Sequence, residues 1–369
     1  MLADWLAENE PAFDMLAKGA ATANYWPVYD VNENAQSLGN AQFAWMEANV
    51  VRQTMETLAR YKQVARALRD RIDYRVRQGE ADEAMADALV ALRFGCHLEG
   101  KGLLIDQLVG IAIEALGNGA VFDVLEKGNV SIEVLSRVQE ELASSFREDR
   151  RIIDLDGEKA FWYDKLQRTF TDDGHGGGRA LRHGLLFAAG DWLSNLAGIL
   201  LFDYPDRREA VAMVDDHFER ARQAIRTPPN KSRLSAEQDE GAGTPASNLL
   251  LAVAAPAHER VRQLAWRLRT GEKALLVTIA ILRYKAQTDS YPAHLEELVE
   301  ANLLARVPDD PFGEGPLSYK RTADGFLLYS WGENGKDYGG QRGVNNVGQP
   351  REYADNGDWV FWPPSMRLS

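Results

Sequence analysis

The sequence predicts a mainly α-helical protein that ends in a small α+β module. Three features of the chain lead to this prediction. Apolar residues recur at the spacing of one helix face as far as about residue 288, as at Leu104, Leu108, Ile111 and Leu116. Glycine and proline clusters separate these helical segments. Beyond residue 288, short aromatic runs with strand composition lie between glycine-rich turns.

The positions of these breakers predict roughly eight or nine helices before residue 288. The breakers are Gly79, residues 117–119, Gly128-Asn129, residues 174–178 and Pro228-Pro229. The chain therefore divides into a multi-helix body over residues 1–255 and a module over residues 256–369, which opens with a long helix and continues as a small antiparallel sheet.

Two segments of the body have a more specific interpretation. Residues 60–98 predict an antiparallel hairpin of two helices joined at residues 78–82, in which Ala81, Ala84 and Ala88 allow close packing. No second copy follows about 34 residues later, so a tetratricopeptide-like array is not indicated. Residues 227–247 combine prolines, glycines and charges with few apolar side chains, which predicts a mobile loop.

Composition restricts the classes of partner. The chain has 369 residues, a formal charge of -13 and a sequence pI near 5.1, so it lacks the basic balance that nucleic acid binding requires. The most membrane-like window, residues 184–202, carries Asp191 and Asn195 at its centre, which predicts a buried globular helix and no membrane span. Residues 1–17 do not have the pattern of a signal peptide. We expect an acidic, soluble protein whose partner is a protein.

The cysteine and most histidines have structural interpretations. Cys96 lies in an apolar helical stretch and is expected to be a small buried side chain. His97 follows directly, but adjacent helical residues point about 100° apart and do not form a dyad. His217, His258 and His294 are expected on polar helical surfaces.

A loop between helices supplies the alternative of an enzyme. Asp172, Asp173 and His175 stand among glycines 174–178, and His183 follows on the expected next helix. Carboxylates and imidazoles are ligands for zinc-like metals, so this set is compatible with a metal-dependent hydrolase that uses metal-bound water. The alternative is a flexible loop in which Asp172 or Asp173 caps a helix beginning near Arg179.

The C-terminal quarter has a recognisable order of motifs. A long helix ends at Ile281-Leu282-Arg283-Tyr284 and is followed by Ser290-Tyr291-Pro292, Asp310-Pro311-Phe312-Gly313, Phe326-Leu327-Leu328-Tyr329-Ser330, a glycine-rich loop over residues 332–340, and Asp358-Trp359. Residues 274–362 thereby resemble the soluble domain of the type II secretion major pseudopilins. The whole chain also resembles a family of bacterial helical proteins that end in such a module and have no established activity.

This resemblance implies a fold and a metal, but not pilus assembly. The chain lacks the N-terminal apolar helix of a pseudopilin. In the resembling pseudopilins the glycine-rich loop binds calcium, which implies a calcium site at Asn334, Asp337 and Asp358 here. Asn334 stands where an acidic residue is usual, and fewer charges imply weaker binding. In the alternative interpretation, Asn334 shapes the turn and both aspartates are solvated. The resemblance also points outside the cytoplasm, although the sequence leaves localisation and oligomeric state open.

Serine-nucleophile and phosphate-loop motifs are absent from the sequence. We therefore expect a non-catalytic scaffold or protein-interaction protein, with a C-terminal loop braced by calcium. The alternative remains a metal-dependent hydrolase that uses Asp172, Asp173, His175 and His183.

Overall fold

The computed structural model describes residues 2–23, 25, 42–100, 102–146, 150, 152–179, 181, 206–238 and 249–367. Within these residues the chain is mainly helical and has one small sheet near its C-terminus, as predicted. The helices are α1 Leu2–Glu8, α2 Glu10–Ala20, α3 Gln42–Gln78, α4 Ala81–Cys96, α5 Leu104–Lys127, α6 Ile132–Ser145, α7 Asp156–Thr169, α8 Arg207–Arg226, α9 Pro229–Gln238, α10 Leu249–Thr288 and α11 Glu296–Glu300.

The predicted hairpin is present as α3 and α4. Helix α3 ends at Gln78, Gly79 adopts a φ of +83° that favours glycine, and α4 begins at Ala81. Ala84 and Ala88 are completely buried where α4 packs among its neighbouring helices. A side-chain contact also joins α4 to α6. The hydroxyl of Ser131, the residue before α6, donates a hydrogen bond to the Asp82 carboxylate of α4 at 2.8 Å.

Helix α5 forms the centre of the body and packs against α3, α4 and α10. Among the described residues, α5 alone is long and apolar enough to cross a membrane. However, 67% of its most apolar window is buried inside the protein. The window predicted to be a buried helix, residues 184–202, lies entirely outside the described residues.

The C-terminal sheet is antiparallel with the order β1-β2-β3. Its strands are β1 Ser318–Arg321, β2 Phe326–Ser330 and β3 Trp359–Trp362. Ser318 pairs with Tyr329, and Ser330 pairs with Trp359. The rings of Phe326 and Trp362 stack with centroids 5.2 Å apart, so aromatic pairs across neighbouring strands hold one face of the sheet.

The sheet and the helical body share a hydrophobic core. Phe361 of β3 stacks on Phe122 of α5 with ring centroids 6.4 Å apart. One cluster of buried apolar side chains runs from α2 through α4, α5 and α10 to the sheet. A second cluster joins the start of α5, residues 152–170, α8 and the first half of α10. Helix α10 crosses the predicted boundary at 255/256 and contributes to both clusters.

The first part of the predicted loop at 227–247 is a helix, which corrects that expectation. Pro229 opens α9, a position at which its missing N–H costs nothing. The amide of Asn230 donates to the Gly313 carbonyl at 2.8 Å, and the Arg233 guanidinium donates to the Phe312 carbonyl at 2.6 Å. These tertiary contacts stabilise α9 as a helix, although its polar composition predicted a loop. Residues 239–248 lie outside the described part.

Candidate functional site

The predicted calcium loop connects β2 to β3, and Asp358 lies at its end. The Asp358 carboxylate is buried and accepts hydrogen bonds from the backbone N–H groups of Tyr338, at 3.1 Å, and Gly340, at 2.6 Å. Burial raises the pKa of Asp358, and the charge of Asp337 raises it further. Two carboxylates therefore repel each other across this loop.

The other two predicted ligands make turn contacts. Asp337 accepts hydrogen bonds from the Gly339 N–H at 2.7 Å and from the Tyr329 hydroxyl at 3.1 Å. The Asn334 oxygen accepts from the Lys336 N–H at 2.9 Å, and its amide donates to the Asp355 carbonyl at 2.6 Å. The structure thus brings the three residues into one loop, where N–H donors occupy part of their oxygen coordination capacity.

The predicted hydrolase loop is exposed, and its two aspartates form contacts with nearby residues. Asp172 forms an ion pair with Arg207 at 2.6 Å, which is the main cause of its lowered pKa. Asp173 accepts from the N–H groups of His175, at 2.8 Å, and Gly177, at 2.9 Å. These contacts are those of a loop that aspartates order internally. His183 and the helix expected near Arg179 lie outside the described residues.

A second group of ionisable side chains lies in the core, and we call Glu99, Glu114 and Glu272 the carboxylate cluster. Glu99 follows α4, Glu114 lies on α5 and Glu272 lies on α10. All three are buried; Glu114 has no exposed surface. Since an isolated buried carboxylate is very costly, the surroundings must supply positive charge or protons.

Arg150, between α6 and α7, supplies charge to the carboxylate cluster. Its guanidinium lies 3.0 Å from Glu114 and 3.4 Å from Glu99, and it also contacts Glu272. Arg269 of α10 donates to the backbone carbonyl of Arg150 and holds this segment in place. Burial alone would lower the pKa of Arg150, but the three carboxylates outweigh it and raise the pKa.

Burial also raises the pKa of each acid in the carboxylate cluster. Burial and the charge of Glu99 raise the pKa of Glu114 to about 8, although Arg150 acts in the opposite direction. Burial likewise raises the pKa of Glu99 and Glu272. Burial therefore favours the neutral form of all three carboxyl groups, and the charge of Arg150 opposes it.

Three oxygens of the carboxylate cluster have no hydrogen-bond donor. They are both oxygens of Glu99 and Oε2 of Glu114. The Sγ atom of Cys96 and oxygens of Glu99 and Glu114 all lie within 4.8 Å of one another. Such a group of atoms can hold a shared proton or a cation.

A cavity of about 400 Å³ lies beside the carboxylate cluster. Arg150 and Arg269 line it together with Trp266, and Asp154 and Asp156 lie on its wall. Arg150 thus stands between the cavity and the buried glutamates.

Sequence reasoning missed the carboxylate cluster. The available signal was Glu114, a single acid in the apolar run Gly110–Leu116. Cys96 was predicted to be a small buried side chain, and the structure places it partly buried at the end of α4. Burial, followed by the charge of Glu114, raises the pKa of its thiol. Without a metal, Cys96 is therefore a thiol and not a nucleophilic thiolate.

Two histidines differ from the prediction of polar surface positions. His258 is only 7% exposed, and its Nδ1 lies 2.9 Å from Nε2 of His217. The error arises because α8 packs on α10 at this point, which periodicity within one helix does not reveal. His294 is exposed, as predicted, but it lies just before α11 and not within a helix.

Comparison of the chain with protein-family models, curated proteins and solved structures finds no match. The pseudopilin resemblance of the C-terminal module therefore stays a prediction.

Proposed function

We propose that this protein is a non-catalytic interaction scaffold whose C-terminal module contacts a protein partner through residues 331–358, which we call the β2-β3 loop. One observation carries the proposal: the β2-β3 loop is internally hydrogen bonded, yet it exposes large apolar side chains. Val347 is 76% exposed, Tyr338 is 42% exposed and Val344 is 40% exposed. Ordered loops on a rigid support are common binding surfaces.

Asparagine contacts hold the tip of the β2-β3 loop. The Asn345 side-chain oxygen accepts from the N–H groups of Val347 and Gln349, both at 3.0 Å. Asn356 clamps Val344 from the other side, with its oxygen 2.9 Å from the Val344 N–H and its amide 3.1 Å from the Val344 carbonyl. A loop held in this way loses little further entropy on binding, which favours affinity.

The support of the β2-β3 loop is also rigid. Arg233 of α9 donates to the Glu333 carbonyl at 3.2 Å, and Arg267 of α10 forms an ion pair with the Glu333 carboxylate at 3.0 Å. The module is thus attached to the body at the start of the loop. Since the chain carries a net charge of -13, a partner with an apolar patch and basic surroundings has complementary chemistry.

Calcium bracing forms part of this proposal. The mutual repulsion of Asp337 and Asp358 favours a cation near them, and the Asn334 oxygen lies in the same loop. Calcium would then raise the melting temperature of the protein, because a ligand stabilises the state it binds. Asp358→Ala would abolish this rise, whereas His175→Ala would leave it intact.

Site-specific photocrosslinking in cells of the source organism tests the contact surface. A crosslinker at Val347 should give one discrete protein adduct, and Tyr338→Asp combined with Val344→Asp should remove it. The matched control is Met15 on α2, which is 73% exposed and lies outside the β2-β3 loop. The same adduct from Met15, or no adduct from Val347, would contradict the proposed surface. Metal-dependent hydrolysis that His175→Ala abolishes would contradict the non-catalytic assignment.

A further inference from the structure

Another cavity of about 400 Å³ lies between the helical body and the β2-β3 loop. Helices α5 and α10 form two of its walls, and Tyr353 and the exposed Glu352 of the β2-β3 loop form a third. Its apolar lining includes Leu108, Ile111, Phe122, Leu264 and Leu268. A cavity of this size and composition is typical of binding sites for small organic molecules.

Two glycines make room for this cavity. Gly119 on α5 and Gly271 on α10 both line it. Gly271 is buried, yet a Cβ atom there would meet no described atom within 4 Å, and one on Gly119 would approach an Arg69 nitrogen only to 4.0 Å. On Gly117, by contrast, it would lie 2.9 Å from the Leu92 backbone nitrogen, so close packing requires that glycine. Because glycine destabilises a helix relative to alanine, we attribute Gly119 and Gly271 to the space beside them.

Two buried polar atoms in residues that line this cavity have no hydrogen-bond partner. Asn118 on α5 is only 5% exposed, and its Oδ1 has no donor. Arg267 on α10 forms an ion pair with Glu333 at 3.0 Å through a terminal nitrogen, but its Nε has no acceptor. Buried polar groups are nearly always hydrogen bonded. One acceptor and one donor are therefore left for a ligand.

We propose that this cavity binds a small, uncharged, mainly apolar molecule that carries one hydroxyl group. A hydroxyl group both donates and accepts a hydrogen bond, which matches the Asn118 Oδ1 and the Arg267 Nε. The arginines of the lining are already paired, Arg69 with Asp123 and Arg267 with Glu333. An ionised ligand would lack the partner that a buried charge requires. This site does not depend on the proposed scaffold function.

The volume of the cavity limits the ligand to about two fused rings. An apolar cavity of roughly 150 Å³ holds benzene, so about 400 Å³ has room for a bicyclic molecule. Phe122 and Tyr353 line the cavity, and aromatic side chains provide a large contact area for such a ring system. The hydroxyl-bearing bicycle 2-naphthol is therefore a suitable probe.

Calorimetric titration of the full-length protein with 2-naphthol tests the site. We expect one equivalent to bind and to raise the melting temperature. Naphthalene, which has no hydroxyl group, should bind about tenfold more weakly because Asn118 and Arg267 then stay unpaired. The anion 2-naphthoate should also bind more weakly than 2-naphthol. No binding of 2-naphthol, or binding of naphthalene or 2-naphthoate that is equally tight, would overturn the proposal.

Two substitutions separate the shape of the cavity from its polar pair. Gly271→Leu fills the space and should abolish 2-naphthol binding, whereas Gly19→Leu on the exposed face of α2 should leave it unchanged. Asn118→Leu should keep naphthalene binding and lower the preference for 2-naphthol to about one. If Gly271→Leu does not fold, Gly271→Ala should raise the melting temperature and still weaken binding. Binding unaffected at Gly271, or a preference that survives Asn118→Leu, would be the opposite result.

Discussion

The imidazole of His217 on α8 lies 2.9 Å, nitrogen to nitrogen, from that of His258 on α10. Phe218 packs edge-on against both rings, with centroids 5.6 Å and 5.5 Å away. A hydrogen bond between two imidazoles requires at least one neutral ring as acceptor. Burial, followed by the charge of His217, lowers the pKa of His258 to about 4.

Because of the His217–His258 pair, we expect the protein to lose stability in mild acid. The pKa of His258 is 6.5 before the shift and about 4 in the folded protein, so the unfolded state binds more protons between these values. The stabilisation is complete above pH 6.5 and is lost as the pH falls towards 4. We expect His258→Gln to reduce the loss over this interval by about 1–3 kcal/mol, measured by urea unfolding at several pH values. The exposed His294→Gln is the control, and an equal reduction in that variant would contradict the assignment.

Gly95 and Gly110 set the distance between α4 and α5. A Cβ atom on Gly95 would lie 2.6 Å from the Glu114 backbone nitrogen and 2.8 Å from the Gly110 carbonyl oxygen. Gly95→Ala should therefore force the helices apart and lower the free energy of unfolding by about 2–3 kcal/mol.

Gly19 is the matched control for this substitution, because a Cβ there meets nothing within 4 Å and α2 has ordinary helical geometry. Gly19→Ala should stabilise the protein by about 0.5–1 kcal/mol. Chemical denaturation of both variants measures the difference. Equal effects of the two substitutions would show that close helix contact is not the cause.

Asp310 organises the turn that precedes the sheet. Its buried carboxylate accepts from the N–H groups of Phe312 and Trp331, both at 3.0 Å, and from the Ser330 hydroxyl at 2.8 Å. Asp310→Ala leaves these donors without their acceptor and should cost about 2–4 kcal/mol. Thermal or chemical unfolding measures the loss.

The neighbouring Asp309 provides the comparison for Asp310. Its exposed side chain lies 3.9 Å from the Arg306 guanidinium, a contact that is worth little in water. Asp309→Ala should change stability by no more than about 0.5 kcal/mol. A large loss of stability in Asp309→Ala, or a negligible loss in Asp310→Ala, would show that Asp310 does not organise this turn.

Local patterns in the sequence predict some of the local structures, but residues 117–119, which were predicted to separate two helices, lie inside α5. Gly79 and the alanines of α4 were sufficient to predict the hairpin, and Asp310-Pro311-Phe312 marked the turn before the sheet. Helix α9 was missed because contacts of Asn230 and Arg233 with a segment about eighty residues away stabilise it. Composition contains no information about such contacts.

The carboxylate cluster illustrates the same limit. Glu114 and Glu272 are far apart in sequence, and periodicity within each helix does not reveal which helices become neighbours. The sequence also gives no sign that Arg150 is buried in this cluster, because an arginine between two helices usually lies at the surface. Only the packing of α5 against α10 brings these charges together.

Helix α10 has 40 residues and is therefore about 60 Å long. Its first half packs with α8, and its second half packs under the sheet. One continuous helix therefore joins the site of the paired histidines to the base of the sheet, so the two regions share a single structural support.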